Sequence, residues 1–169
     1  EFHGITFPDI TQFLNISLQK SIIFIQSEFK KKFQISIHKC ADNAVLKINY
    51  VTINGDLIIQ CPIFGKLSFL ELIGTTVVGN FILDGTMIYG NANLNNLDVS
   101  GEILLNANQI KNAYAQENIF RKMKTHATGI GNKEDSDIYY FLERVATKKI
   151  MWIKLCELWE KFQSQIYTK

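Results

Sequence analysis

A short glycine-centred phrase is repeated five times between Ile53 and Leu105, and it limits the folds open to this chain more than any other feature. Each copy has apolar residues two positions before, two positions after and four positions after its glycine. The five glycines are Gly55, Gly65, Gly79, Gly90 and Gly101. The flanking apolar residues are Ile53, Ile63, Val77, Ile88 and Val99 before the glycine, and Leu57, Leu67, Phe81, Ala92, Ile103, Ile59, Phe69, Leu83, Leu94 and Leu105 after it.

The spacing of the glycines predicts a β-solenoid. Successive glycines are 10, 14, 11 and 11 residues apart, which is too short for a helical hairpin but long enough for two short strands and two bends. Residues two apart in a strand point to the same side, so the apolar pairs should face inward. Each copy then forms about half a coil, with its glycine at a bend that needs either positive φ or close approach of the next coil. The longer interval predicts a loop or bulge over residues 70–75.

The same apolar register continues ahead of Gly55 without glycines. Its centres fall at Asp9, Lys20 and Lys31, which are 11 residues apart, with a weaker unit around Ala44. The apolar residues around these centres are Phe7, Phe13, Leu18, Ile22, Phe24, Phe29, Phe33, Ile35, Leu46 and Ile48. We therefore predict a solenoid over residues 4–110 with nine half-coils.

From Asn112 the alternation stops and helical spacing begins. Four apolar residues spaced four apart mark one face of a first helix. They are Ala115, Ile119, Met123 and Ala127. Because the ends of a stacked sheet expose strand edges that pair with other chains, each end needs a cover. We predict that residues 111–169 form a helical cap or extension of two or three helices.

A second helix is expected after a turn at residues 129–132. Asp135 and Ser136 are both suitable N-cap residues. Apolar positions then follow steps of four and three, which predicts a long seam. The seam comprises Ile138, Leu142, Val145, Trp152, Cys156 and Trp159. The sequence leaves two alternatives open: the second helix continues past residue 150, or it breaks between residues 147 and 150 and residues 151–166 form a separate amphipathic helix.

Two stretches of the chain resemble a known family. The run Asn91-Ala92-Asn93-Leu94-Asn95-Asn96-Leu97 resembles the Ala-Asn/Asp-Leu-x-x unit of bacterial pentapeptide-repeat proteins, and the glycine phrases around it resemble their looser relatives. Residues 120–144 resemble the helical segment that follows the repeats in several of these proteins. The resemblance covers residues 44–150. It implies a right-handed parallel β-solenoid and a non-enzymatic scaffold or interaction role, and in some relatives the helices lead into membrane-spanning segments.

Composition and charge exclude several functional classes. Only 20% of residues are charged and the net charge is +2, with net −2 in residues 1–110 and net +4 in residues 111–169. Neither part is basic enough to predict a nucleic-acid partner, or acidic enough to mimic DNA. The three cysteines have no paired spacing, so we expect a reducing, cytoplasmic compartment and no cofactor. The chain begins with Glu1 rather than Met, so we expect a fragment or a processed form.

Polar residues offer few candidate sites. His38 and Cys40 alternate on one strand and, with Cys61 on an adjacent coil, form a candidate metal site. We favour a polar edge position and a buried thiol, and predict no metal. His126, near the end of the first helix, is expected to interact with the helix C-terminus rather than to act as a base.

Two charged groups have a functional and a simpler interpretation. Asp84, Asp98 and Glu102 could form a carboxylate ladder of the kind a polysaccharide-acting solenoid enzyme uses. We favour a solvated face, because these coils are too short to build a cleft. Residues 30–32 are three lysines that could contact phosphate or anionic lipid, but they more simply protect a strand edge from pairing.

The aromatic residues of the second helix are the most informative. Trp152, Leu155, Trp159 and Phe162 are the predicted interaction residues, because large aromatic side chains concentrate where binding energy is made. The alternative is that the tryptophans pack over the last coil as a hydrophobic cap. Both interpretations remain open at this point.

The leading prediction is a non-enzymatic scaffold or protein-interaction module whose C-terminal helices bind a protein partner or form a homodimer. The second hypothesis is the cytosolic portion of a bacterial membrane protein, with residues 148–169 lying at the inner face of the bilayer. The third is the polysaccharide-acting solenoid enzyme. No catalytic residue is predicted.

Overall fold

The computed structural model describes residues 1–167, with side chains through Gln163. The strands belong to successive coils. The first coil contains β1 (Phe2–His3), β2 (Thr6–Phe7) and β3 (Thr11–Leu18), and the second contains β4 (Ser21–Ile25), β5 (Glu28–Phe29) and β6 (Phe33–Cys40). The third contains β7 (Val45–Asn49), β8 (Thr52–Ile53), β9 (Leu57–Gln60) and β10 (Ile63–Phe64). The fourth contains β11 (Phe69–Glu71), β12 (Thr76–Val77), β13 (Phe81–Asp84) and β14 (Met87–Ile88). The last contains β15 (Asn91–Asn93), β16 (Asp98–Val99) and β17 (Ile103–Leu104).

These strands stack into a parallel β-solenoid of about four turns, as predicted. Three faces are five-stranded parallel sheets, and β10 and β14 form a small fourth face. Leu57 pairs with Phe33 on one side and with Phe81 on the other, 24 residues away in each direction. One coil therefore takes two copies of the glycine phrase, which confirms that each copy is half a coil.

The inward residues of the strands form one continuous core. Phe33, Leu57 and Phe81 occupy the same position in successive coils and are fully buried. At the N-terminal end the core is aromatic, and the rings of Phe29 and Phe33 stack with centroids 3.8 Å apart. Such pairs are stabilising beyond their buried area.

Three of the repeat glycines form a column in which successive coils touch through their backbones. The Gly79 amide donates to the Gly55 carbonyl oxygen at 3.0 Å, and the Gly101 amide donates to the Gly79 carbonyl oxygen at 3.1 Å. A Cβ on Gly79 would lie 2.6 Å from the Gly55 carbonyl carbon, closer than real side chains come. Of the two predicted roles for these glycines, close approach is therefore the correct one.

Positive φ occurs at a different corner, which the glycine phrase did not reveal. Five residues there are left-handed: Gly4, Gln26, Tyr50, Gly74 and Asn96, with φ between 50° and 64°. The backbone N–H of each of the first four donates to a carbonyl oxygen of the following coil, at 2.8–3.1 Å. The acceptor is always the residue just before the next left-handed residue, as when the Gly4 amide donates to Ile25. Residues other than glycine are strained in this backbone conformation. Because Gln26, Tyr50 and Asn96 adopt it nonetheless, the regular stacking of the coils outweighs the local cost in energy.

In the copy around Gly65, the inward-facing residues lie one position later in the sequence than predicted. Ile63 and Leu67 are 54% and 76% exposed, whereas Phe64 and Leu70 are buried. Leu70 pairs with the buried Leu46 of the preceding coil, and since a one-residue slip turns every side chain to the opposite face, this pairing fixes the register. The predicted loop at residues 70–75 is confirmed over residues 72–75, which form a turn, whereas Leu70 and Glu71 belong to β11.

Two helices follow the solenoid: α1 (Ala113–Gly129) and α2 (Lys133–Tyr167). The predicted inward face of α1 is confirmed, since all four of its residues are buried, and with Phe120 the helix covers the last coil. The helix α2 begins earlier than predicted. Asn132 is its cap, because the Asn132 side-chain oxygen accepts from the Asp135 amide at 3.2 Å. No break occurs near residue 150, so the described residues contain two α-helices, preceded by a short 3₁₀ helix at Ala107–Gln109.

The buried stripe of α2 differs from the predicted seam. The residues that pack toward α1 and the core are Tyr139, Leu142, Glu143, Ala146 and Ile150. Ile138 is 49% exposed, and only Leu142 belongs to both sets. The predicted seam failed because most of its residues lie on the side of α2 that faces away from α1.

Candidate interaction surface

The last part of α2 carries the largest run of exposed apolar side chains in the described residues. Ile150, 6% exposed, is the last buried residue of the helix. Beyond it, every residue from 151 to 163 is exposed. We refer to residues 151–163 as the distal segment. None of its described side chains is buried against the solenoid.

Six of the seven exposed large apolar residues of the distal segment share one side of the helix, and the seventh, Ile153, lies on the opposite side. At 100° per residue, Trp152, Leu155, Trp159 and Phe162 follow steps of three and four, which places them in one stripe. Their exposures are 67%, 57%, 60% and 55%, and the Trp159 and Phe162 rings are 6.1 Å apart. Met151 and Leu158 flank the stripe and are equally exposed. We define these six residues as the outer face.

Charged residues occupy the opposite side of the distal segment. They are Lys154, Glu157, Glu160 and Lys161. This charged side continues the stripe by which the earlier part of α2 packs on α1. Apart from Ile153, the residues that continue the packed stripe beyond Ile150 are therefore charged, whereas the outer face is apolar.

The structure excludes one of the two interpretations of the tryptophans, and the other stays a prediction. Trp152 and Trp159 remain more than half exposed, so they do not cap the last coil. The helix α1 covers that coil instead. All four predicted interaction residues lie on the outer face.

An ion-pair cluster between α1 and α2 fixes the base of the distal segment. Glu143 accepts from Arg121 Nε at 3.0 Å and from Lys124 Nζ at 2.5 Å, and its side chain is 12% exposed. Burial by itself would raise the pKa of Glu143, but the hydrogen bonds and charges of Lys124 and Arg121 outweigh it and lower the pKa below its ordinary value. Sequence periodicity missed this residue because a glutamate inside an apolar stripe carries no signal of its own.

The other candidate residues do not converge on a polar site. Asp98 begins β16, in the sheet formed by β2, β5, β8, β12 and β16, whereas Asp84 ends β13 and Glu102 precedes β17 in the sheet formed by β3, β6, β9, β13 and β17. The structure therefore does not stack the three carboxylates in one ladder. Asp84 accepts from the Gln60 side chain at 2.8 Å.

Cys40 and Cys61 lie beside each other, as expected for adjacent coils, while His38 is exposed. Their mutual hydrogen bond lowers the pKa of the half-buried Cys40, and that bond together with burial raises the pKa of the buried Cys61. Within the described residues, no three or more His, Cys, Asp or Glu side chains are grouped in a way that would hold a metal ion.

The remaining candidates are two of the three lysines and His126. Lys30 pairs with Glu28 at 2.6 Å and Lys31 with Asp9 at 2.9 Å. His126 lies in the last turn of α1, and its buried Nε2 atom has no hydrogen-bond partner among the described residues. No helix within residues 1–167 has the length and apolar composition needed to cross a bilayer.

No protein-family model, curated protein or solved structure matches the chain.

Proposed function

We propose that this protein is a non-enzymatic interaction module, in which the solenoid is a rigid base and the outer face of the distal segment pairs with a second copy of the chain. The observation that carries the proposal is the outer face itself, six large apolar side chains of α2 that are all exposed. Trp-rich apolar clusters of this kind are typical of the energetic centres of protein interfaces.

The size of the outer face suits self-association. Six side chains of this size, 55–67% exposed, present roughly 700 Å² of apolar surface. A stable dimer buries about 800 Å² on each partner, and the largest apolar patch on an ordinary monomer is about 300–600 Å². The steps of three and four along the stripe are those of a coiled-coil seam, which a second copy of the helix would complement.

A relationship to the pentapeptide-repeat proteins belongs to the same proposal. Ala92, Leu94 and Leu97 of the Asn-rich run are buried, as the inward positions of such a repeat would be. The four-turn parallel stack is compatible with that fold. A scaffold or interaction role is what the resemblance implies.

Membrane association is the second candidate function. Lys148 and Lys149 precede Trp152, an arrangement that suits a helix lying on an anionic bilayer. The charged side of the distal segment argues against it, because two glutamates balance its two lysines. Liposome flotation separates the candidates: we expect the chain to stay at the bottom of the gradient with anionic vesicles.

Truncation after Ile150 tests the proposed function. The cut leaves every buried residue of α2 in place, so the shortened chain should fold with an unchanged sheet signal in circular dichroism. We expect the full chain to sediment as a dimer and the truncated chain as a monomer. A monomeric full chain, or a truncated chain that is still a dimer, would overturn the proposal.

A further inference from the structure

A basic groove lies where the solenoid and the two helices meet, and it is separate from the outer face apart from Trp152. Its volume is about 790 Å³, within the range of small-molecule sites. Four lysines line it: Lys66 after β10, Lys111 just before α1, and Lys148 and Lys149 on α2. Three segments distant in sequence thus bring positive charge to one place.

No acidic side chain among the described residues pairs with these four lysines. Among the residues that line the groove none is acidic. Within the part of the chain that the structure describes, none of the four lysines forms an ion pair, and Lys149 Nζ donates only to the Gln116 side-chain oxygen at 3.3 Å. The positive end of the α1 dipole adds to the same field, since Asn112 and Ala113 line the groove. A site with this electrostatic character favours a multiply charged anion.

The rest of the lining is aromatic. Tyr89, Tyr114 and Trp152 contribute rings to the groove, and they are 38%, 38% and 67% exposed. Exposed rings beside lysines form stacking platforms for a planar group whose other end is anionic. Lysine binds phosphate as a point charge, so it suits the anionic end.

We propose that the basic groove binds a small phosphorylated ligand with a planar ring, the chemical class that a nucleoside triphosphate represents. The lysines hold the phosphates and the aromatic side chains stack on the ring. The proposal does not depend on self-association, because Lys66, Lys111 and both tyrosines lie outside α2.

Calorimetric titration of the full chain with ATP tests the proposal, with inorganic triphosphate and adenosine as the two half-ligands. We expect ATP to bind more tightly than either. The Lys66→Gln/Lys111→Gln variant should weaken ATP binding by about tenfold or more, because each charge-assisted contact contributes more than a neutral one. The matched control is Lys20→Gln/Lys39→Gln, which removes two exposed lysines elsewhere on the solenoid and should leave binding unchanged.

Four results would overturn the proposal. If ATP does not bind, the groove is not a nucleotide site. If triphosphate binds as tightly as ATP, the rings take no part. If the control variant weakens binding equally, the attraction is a general effect of charge. If a single-stranded oligonucleotide displaces ATP at lower concentration, the groove belongs to a nucleic-acid surface rather than to a small-molecule site.

Discussion

At the scale of single residues, the sequence marks its tightest positions with glycine, but it does not say why each one is needed. Gly79 has to lack a side chain, because backbone atoms of the preceding coil occupy the space that a Cβ would take. The left-handed corner could not be predicted, since Gln26, Tyr50 and Asn96 stand where glycine would be expected. Their conformation is imposed by the stacked coils and leaves no pattern in the sequence.

Gly79→Ala should destabilise the protein by about 1–3 kcal/mol, the usual cost of forcing atoms into a packed interior. The new methyl group would meet backbone atoms of Gly55 and Asp56, at 2.6 and 2.8 Å, that cannot move without shifting a coil. Chemical denaturation measures the change. The matched control is Gly129→Ala at the end of α1, where no atom lies within 4 Å of the new Cβ. If both variants unfold at the same denaturant concentration, close approach is not what these glycines provide.

At the scale of elements, apolar periodicity predicted where strands and helices form. It was less successful in predicting which face of a helix is buried. The inward face of α1 was predicted correctly because all its apolar residues lie on one side. The helix α2 has two apolar stripes, one that packs on α1 and one that faces outward. Periodicity alone cannot tell which of them is buried, and the buried one includes Glu143.

The Glu143 cluster should make the docking of α2 dependent on pH. The folded-state pKa of Glu143 is lowered, so its contribution to stability is present above the ordinary carboxyl pKa and is lost as pH falls through the folded-state value. Glu143→Gln should cost about 2 kcal/mol at neutral pH, the usual value of hydrogen bonds to a charged group, and should flatten the fall in stability at acid pH.

Thermal denaturation across the acid range measures both effects of the Glu143 substitution. Glu157→Gln, on the exposed charged side of the distal segment, is the matched control and should change neither the stability nor its pH dependence. If Glu143→Gln has the same pH profile as the parent chain, the ion-pair cluster does not stabilise the folded state.

At the scale of the whole molecule, the outer face of the distal segment is an apolar surface that stays exposed beside the solenoid and its helical cover. The predicted interaction residues, Trp152, Leu155, Trp159 and Phe162, all lie on that surface, and their role in binding stays a prediction. The basic groove was not predicted, because its lysines come from three segments that only the fold brings together. A partner of the outer face should therefore be recognised by apolar contact, and a ligand of the groove by charge.

The most direct test of the account is the solution mass, by light scattering, of the full chain and of its Leu155→Glu/Trp159→Glu variant. Both substituted residues are more than half exposed, so the variant should keep its fold. We predict a dimer for the full chain, a monomer for this variant, and a dimer for the control Lys154→Glu on the charged side. A full chain that is monomeric, or a double variant that remains a dimer, would contradict the claim that the outer face is an association surface.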